Sequence, residues 1–152
     1  MNRGRTGQPV EILLVEHDAG DIQLVVDALS TSQVRNNVHV AEDGLKAMAV
    51  LRRGAQSGDA VRPDLILLDL NVPRKDGREV LAKIKGDQVL KSIPVIVLAR
   101  SDAVHGAVEC YQLQANCVIR KPVDINARMT MVRSIDHFWL TVATLPGSVS
   151  SR

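Results

Sequence analysis

Two cysteines in 152 residues, Cys110 and Cys117, are too few for a disulfide framework. One falls in a helical stretch and the other at a strand start, so both are expected as reduced, packed thiols. Long apolar runs are missing as well, and none approaches the ~20 residues that a membrane span needs. The opening Met1-Asn2-Arg3-Gly4-Arg5 is polar, with no apolar stretch before Val10, and does not resemble an export signal. A cytoplasmic protein without a membrane partner is therefore expected. Nor is there a dominant charge, because 24% charged residues leave a net charge of only +2. The basic residues are scattered rather than striped, which argues against a nucleic-acid partner. No internal repeat and no second core stand out.

What the chain does have is an apolar content of 45%, enough to bury the core of one α/β domain. Strand and helix signals alternate along it. Residues 11–15 read as a strand, and Ile22, Val25, Val26 and Leu29 then recur at helical spacing until Ser30-Thr31-Ser32. Val38-His39-Val40-Ala41 is a short strand, and Asp43 can cap a helix carrying Leu45, Met48, Ala49 and Leu51. A polar loop is expected from Gly54 to Pro63. A strand at 65–68, a helix near 77–86 with Val80, Leu81 and Ile84, and the run Val95-Ile96-Val97-Leu98 follow. A weaker helix over 102–113 puts Val104, Val108 and Tyr111 on one face. The last strand lies near 117–120, and the last helix runs from about Asp124 to Val142. Five strands, each followed by a helix, imply a parallel sheet covered on both faces with right-handed crossovers. The domain is expected to span 10–146, between disordered tails at 1–9 and 147–152.

Several charged residues end these strands. Leu65-Ile66-Leu67-Leu68 is an unbroken apolar run that delivers Asp69 to a turn containing Pro73, Asp76 and Gly77. Glu16 and Asp18 follow Ile12-Leu13-Leu14-Val15, and Lys121-Pro122 follows Val118-Ile119-Arg120. Strand C-termini are where open α/β sheets put their chemistry. An acidic pair, a lone acid and a lone lysine in those positions are the parts of a phosphoryl-accepting pocket. An aspartate that attacks a phosphoryl donor needs a divalent cation to screen the charge, and hard oxygens suit Mg²⁺. Glu16 and Asp69 could supply those oxygens, whereas Asp18 is better read as a helix cap. Lys121 can neutralise a phosphoryl oxygen as a point charge. A cis bond before Pro122 is one way of aiming it inward.

On these residues the chain resembles the receiver domain of two-component response regulators. The likeness rests on Ile12-Leu13-Leu14-Val15-Glu16, Gly20-Asp21, Asp43-Gly44 and 64–71 with Pro73 and Gly77. Pro94-Val95-Ile96-Val97-Leu98 and Lys121-Pro122 complete it. Phe138-Trp139-Leu140-Thr141 with Leu145-Pro146 is similar to the stand-alone receivers that partner bacterial phytochrome kinases. The resemblance implies a flavodoxin-like fold with strand order 2-1-3-4-5. It implies phosphorylation of Asp69 by a histidine kinase, possible partnership with a bacteriophytochrome, and Lys121 as the phosphoryl-binding lysine. Mg²⁺ would be held by Glu16, Asp69 and the backbone carbonyl of Asn71. A receiver of this kind is a signalling protein and not an enzyme. With no output domain following, its output is protein contact or onward transfer of the phosphate.

Three positions depart from the family pattern. His17 stands where a second metal-binding acid is expected, Ala99 where a hydroxyl would bind the phosphoryl oxygen, and Val118 where an aromatic would change rotamer. Imidazole is a poor Mg²⁺ ligand, so His17 should weaken the metal site. Alternatively it acts as an imidazolium that screens Asp69, or it is a loop residue with no role. Ser101, two residues beyond Ala99, is a partial substitute for the missing hydroxyl. These departures also fit a degenerate receiver that binds protein independently of phosphate. A phosphohydrolase built on Asp69 is disfavoured: there is no glycine-rich phosphate loop, and Asn71 replaces the second aspartate such an enzyme would carry.

Phe138 and Trp139 are two of the three aromatics in the chain. Adjacent on a helix, they diverge by about 100° and cannot both face one layer. Ile125, Met129, Val132 and Trp139 form one stripe, and Met131, Ile135, Phe138 and Val142 a second. An arc this wide suggests a protein interface around Phe138 and Trp139, which in similar receivers makes a homodimer.

Overall fold

Three of the strands contain nothing but apolar side chains over most of their length, and burial on both faces follows from that. In the computed structural model, which describes residues 7–56, 62–100 and 104–148, they are β1 (Val10–Val15), β3 (Leu65–Asp69) and β4 (Val95–Ala99). β2 (Asn36–Ala41) and β5 (Cys117–Arg120) flank them, and the sheet is parallel throughout in the order β2-β1-β3-β4-β5. Both the strand order and the parallel sense match the sequence expectation. Successive side chains point to opposite faces, so each strand feeds two cores. Leu13, Val15, Ile66, Leu68, Val95 and Val97 pack on one side with α2 (Gly44–Gln56), α3 (Gly77–Gly86) and α4 (Val104–Gln112). Ile12, Leu14, Leu65, Leu67, Ile96 and Leu98 pack on the other with α1 (Ala19–Ser30) and α5 (Ile125–Ile135). Each fully buried Leu, Ile or Val of these layers contributes about 1.5–3 kcal/mol.

Caps set the helix starts. Asp18 accepts a hydrogen bond from the Asp21 N–H at 2.8 Å, the capping role read from the sequence. Asp43 does the same for Lys46 at 2.8 Å. Two glycines admit close approaches near the strand ends. A Cβ on Gly77 would lie 2.6 Å from the Leu70 Cα, and one on Gly44 would collide with the Lys75 carbonyl oxygen. The loop after β3 is thereby pressed against the starts of α2 and α3.

Several expectations are corrected. α2 continues through Gly54 to Gln56, where a loop was expected to begin; residues 57–61 of that loop lie outside the described residues. Its inward face is Ala47, Met48 and Leu51, while Leu45 and Ala49 face solvent. In α4, Val108 and Tyr111 are more than half exposed, and Gly106 and Cys110 are buried instead. Here α4 lies over the β5 edge of the sheet, where small residues allow close approach. Tyr111 still has a structural job, since its hydroxyl accepts the Val118 N–H of β5 at 3.1 Å. Both cysteines are free thiols, Cys110 buried and Cys117 half-buried, as expected.

The last helix is not uniform. α5 gives way to a π-helical segment, Asp136–Val142, in which the Ala143 N–H reaches back to the Phe138 carbonyl at 2.6 Å. The wider turn brings Leu140 into the core beside Val132 and Ile135, and Ile125 is left 69% exposed at the other end. The two expected stripes merge: Met129, Met131 and Trp139 all lean on the same core, while Phe138 and Val142 point outward. Asp136 accepts a hydrogen bond from the Ser32 hydroxyl at 2.7 Å, which ties this segment to the end of α1. Among the described residues no helix is long and apolar enough to cross a membrane.

Candidate functional site

The sheet order reverses between β1 and β3, and a crevice opens outside the carboxyl ends of strands at such a switch point. β1 and β3 are paired so that Val15 lies opposite Leu68. Glu16 and Asp69, one residue further along, therefore end their strands side by side. β5 runs beside β4, with Ala99 opposite Arg120, and the Lys121 N–H donates to the Ala99 carbonyl at 2.7 Å. That backbone bond turns Lys121 toward the crevice. The bend needs no cis peptide, because all described peptide bonds, including Lys121–Pro122, are trans.

Lys121 is the hub. Its Nζ donates to Glu16 Oε1 at 2.8 Å, Asp69 Oδ2 at 2.9 Å and Asp21 Oδ2 at 3.0 Å. All three carboxylates are largely buried, Glu16 and Asp69 almost fully. The other Asp69 oxygen, Oδ1, accepts the Asn71 N–H at 2.8 Å. Asp21 Oδ1 accepts from the Arg128 guanidinium at 2.7 Å, and the Nε of Arg128 donates to the Pro122 carbonyl at 2.6 Å. Glu16, Asp21, Asp69, Lys121 and Arg128 line a cavity of about 500 Å³ together with His17, Asp18 and Arg100.

Burial pushes the Glu16 carboxyl up to about 7, and its hydrogen bond to Asp69 adds to that shift against the opposing pull of Lys121. Burial alone would raise Asp69 too. Hydrogen bonds from Glu16, Lys121 and the Asn71 N–H outweigh it and hold Asp69 below the ordinary carboxylate range. Desolvation would lower Lys121, but its hydrogen bonds to Glu16 and Asp69 raise it, so it stays an ammonium. Below about pH 7 the proton shared by the acid pair therefore sits on Glu16, and Asp69 keeps its charge.

The residues singled out from sequence are distributed as follows. Glu16, Asp69 and Lys121 converge, and Asn71 joins them through its backbone. His17 is exposed, yet it offers a ring nitrogen within a 4.8 Å cluster of oxygens from Glu16 and Asp69. Ala99 is buried at the end of β4 and brings no hydroxyl, and Val118 is half-buried against the core. Ser101 lies outside the described residues. Phe138 and Trp139 sit in the π-helical segment and meet edge to face, with centroids 5.3 Å apart and ring planes at 83°. Sequence reasoning missed Asp21 and Arg128 as parts of the pocket. The available signals were weak: an acid in the first turn of α1, and a base one turn after the Asp124 cap of α5.

A raised Glu16 has a definite effect on stability. Between its unfolded value near 4.5 and its folded value of about 7, the folded state binds the extra proton. The stability contributed by that proton is complete below the unfolded value and is lost as pH rises through about 7. Wild-type protein should therefore lose stability from about pH 5 to pH 8, by roughly 1–3 kcal/mol. Glu16→Gln should flatten that slope in chemical denaturation curves. Parallel pH profiles for the two proteins would refute this assignment of the proton.

Comparison with known proteins agrees with this geometry. Residues 12–133 match the model of the response regulator receiver domain. The response regulator Rcp1 of Synechocystis sp. is 44% identical over 140 residues, covering 92% of this chain and 95% of Rcp1. The crystal structure of the Mn²⁺-bound form of Rcp1 superposes with a TM-score of 0.86, covering 91% of this chain and 99% of that one. The phosphorylated cyanobacterial phytochrome response regulator RcpA gives 0.85 at 47% identity, with the same coverage. Buried acids and a lysine gathered at the strand ends, within a match that spans most of the sequence, lead to one conclusion: this chain belongs to the response regulator receiver domain family.

Proposed function

We propose that this chain receives a phosphoryl group on Asp69 from a histidine kinase and signals by protein contact. The supporting observation is the position of Lys121 Nζ, 2.9 Å from Asp69 Oδ2 and 2.8 Å from Glu16 Oε1. In the transfer, an Asp69 carboxylate oxygen attacks phosphorus, the P–N bond to the donor imidazole breaks, and the imidazole leaves with the electron pair. Asp69 suits this role because its neighbours keep it ionised. Lys121 neutralises the phosphoryl oxygens after transfer, at a site already dry enough to strengthen the attraction. Phosphorylated RcpA supports the reading through its likeness to this chain. By the same likeness the donor is a phytochrome-type kinase; the setting we propose is the cytoplasm.

The donor set fits a divalent cation. Two carboxylates and one imidazole can reach a common point, and Mg²⁺ typically takes one or two carboxylates with waters. Glu16, Asp69 and the Asn71 carbonyl would hold it, and when bound it would screen the negative charge of the incoming phosphoryl group. His17 is the weak member, since imidazole does not favour Mg²⁺. Through Phe138, half exposed, and Val142, 58% exposed, the outer face of the last helix would make the contact between two copies.

A second reading is favoured by Ala99 and Val118. Neither position carries the hydroxyl or the switchable ring through which a receiver would sense a phosphoryl group. In that case the chain is a degenerate receiver whose binding surface is permanently available.

Acetyl phosphate with Mg²⁺ separates the two readings. Intact mass should rise by one phosphoryl group in the wild type and not in Asp69→Asn; an unmodified wild type would leave only the degenerate reading. Titration calorimetry should find Mg²⁺ bound roughly tenfold more tightly by His17→Asp, because an added anionic oxygen raises affinity. Equal affinities would mean that His17 does not bear on the site. Sedimentation equilibrium should give a dimer that Phe138→Glu dissociates, and a wild-type monomer at high micromolar concentration would defeat the interface.

A further inference from the structure

An ammonium has three protons, and Lys121 has committed all of them to Glu16, Asp69 and Asp21. The first two partners change when the site is used. Asp69 becomes an acyl phosphate, and Glu16 is a ligand for the cation. Asp21 is neither the phosphoryl acceptor nor a member of the cation-binding set. It comes from the first turn of α1.

Asp21 is itself held. Its second oxygen accepts from Arg128 at 2.7 Å, and the same guanidinium donates to the Pro122 carbonyl at 2.6 Å. Pro122 is the residue after Lys121, so the contacts close a ring: Lys121 side chain, Asp21, Arg128, and back to the Lys121–Pro122 backbone. An arginine can do this because its planar fork offers several donors in fixed directions, and a lysine could not serve both acceptors in the same way. The Arg128 side chain is 29% exposed and Asp21 14%, so the ring is sheltered more than an ordinary surface pair. Arg128 also belongs to α5, whose continuation carries the exposed Phe138.

We propose that Asp21, clamped by Arg128, is a positioning residue that fixes Lys121 for the phosphoryl group and links that lysine to α5. The proposal deepens the reading of Asp69 as phosphoryl acceptor and rests on it. With Ala99 and Val118 unable to relay the state of the site through β4 and β5, the ring supplies another mechanical route. A phosphoryl group that draws Lys121 toward Asp69 shifts the load on Asp21, and through Arg128 the change reaches the start of α5.

The test uses full-length protein labelled with ¹³C and ¹⁵N, and it follows the Lys121 ammonium signal, assigned by its loss in Lys121→Met. Asp21→Asn and Arg128→Met should each shift that signal and speed its exchange with water. Both should slow labelling of Asp69 by acetyl phosphate, by up to about a hundredfold, the scale of a catalytic group displaced by an ångström. Arg128→Lys, which keeps the charge but not the fork, should fall between wild type and Arg128→Met. A change in stability alone would not produce that graded response at Lys121. If the ammonium signal and the labelling rate are both unchanged in Asp21→Asn and Arg128→Met, the positioning role is overturned. If the variants disturb Lys121 but wild type takes up no phosphoryl group, the anchor stands and the reading of Asp69 fails.

Discussion

One ammonium group, enclosed by three acids at the end of a parallel sheet, is the contact on which the pocket depends. Glu16, Asp21 and Asp69 come from two strand ends and a helix start, and no other cation lies within bonding distance of all three among the described residues. Burying so much negative charge is costly unless it is paired, and loss of one partner of such a group typically costs about 3–5 kcal/mol. The pairing stays incomplete, with one positive charge against three negative ones. The site manages the excess by keeping a proton on Glu16 and by bringing Arg128 to Asp21. With that proton in place the two remaining carboxylates face two cations, so a further cation held by Glu16 would have to displace the proton.

The sheet makes this arrangement possible without strain at the acids themselves. Apolar runs in β1, β3 and β4 fix the register, and the register fixes which residue emerges first at the crevice. Around them the chain is packed closely: Gly77 has no room for a side chain against Leu70, and Gly44 none against Lys75. Those approaches hold the loop after β3, and with it Asn71, in place beside Asp69. Lys85 does similar work at the opposite end of β4, where its ammonium bonds the carbonyls of Lys91 and Ile93 and the Asn116 side chain.

Much of this was legible from the residues in order. Unbroken apolar runs marked the buried strands, and a strand that ends in Asp69 or Lys121 marks the crevice, since both signals are local. The pieces that escaped were those set by three-dimensional placement. Asp21 looks like an ordinary first-turn acid and Arg128 like a surface base, because only the packing of α1 against α5 brings them together. The inward face of α4 was misjudged for a related reason: near a sheet edge, glycine and cysteine go inside and larger side chains go out, against the usual hydrophobic rule. Leu45 and Ala49 on α2 show that spacing alone does not fix the exact angle at which a helix sits on a sheet. Lys121 reaches the crevice with a trans bond to Pro122, so the inward turn needs no cis peptide.

The π-helical stretch of the last helix sets which of its side chains face outward. Where each hydrogen bond spans five residues instead of four, the backbone is wound more loosely, and the direction of every side chain beyond that point is offset. Leu140 enters the core and Phe138 faces outward because of that winding. Which side chains this last segment turns to solvent is thus written in how many residues the coil takes per turn, and a relative carrying the same aromatic ring on an ordinary coil would point it elsewhere.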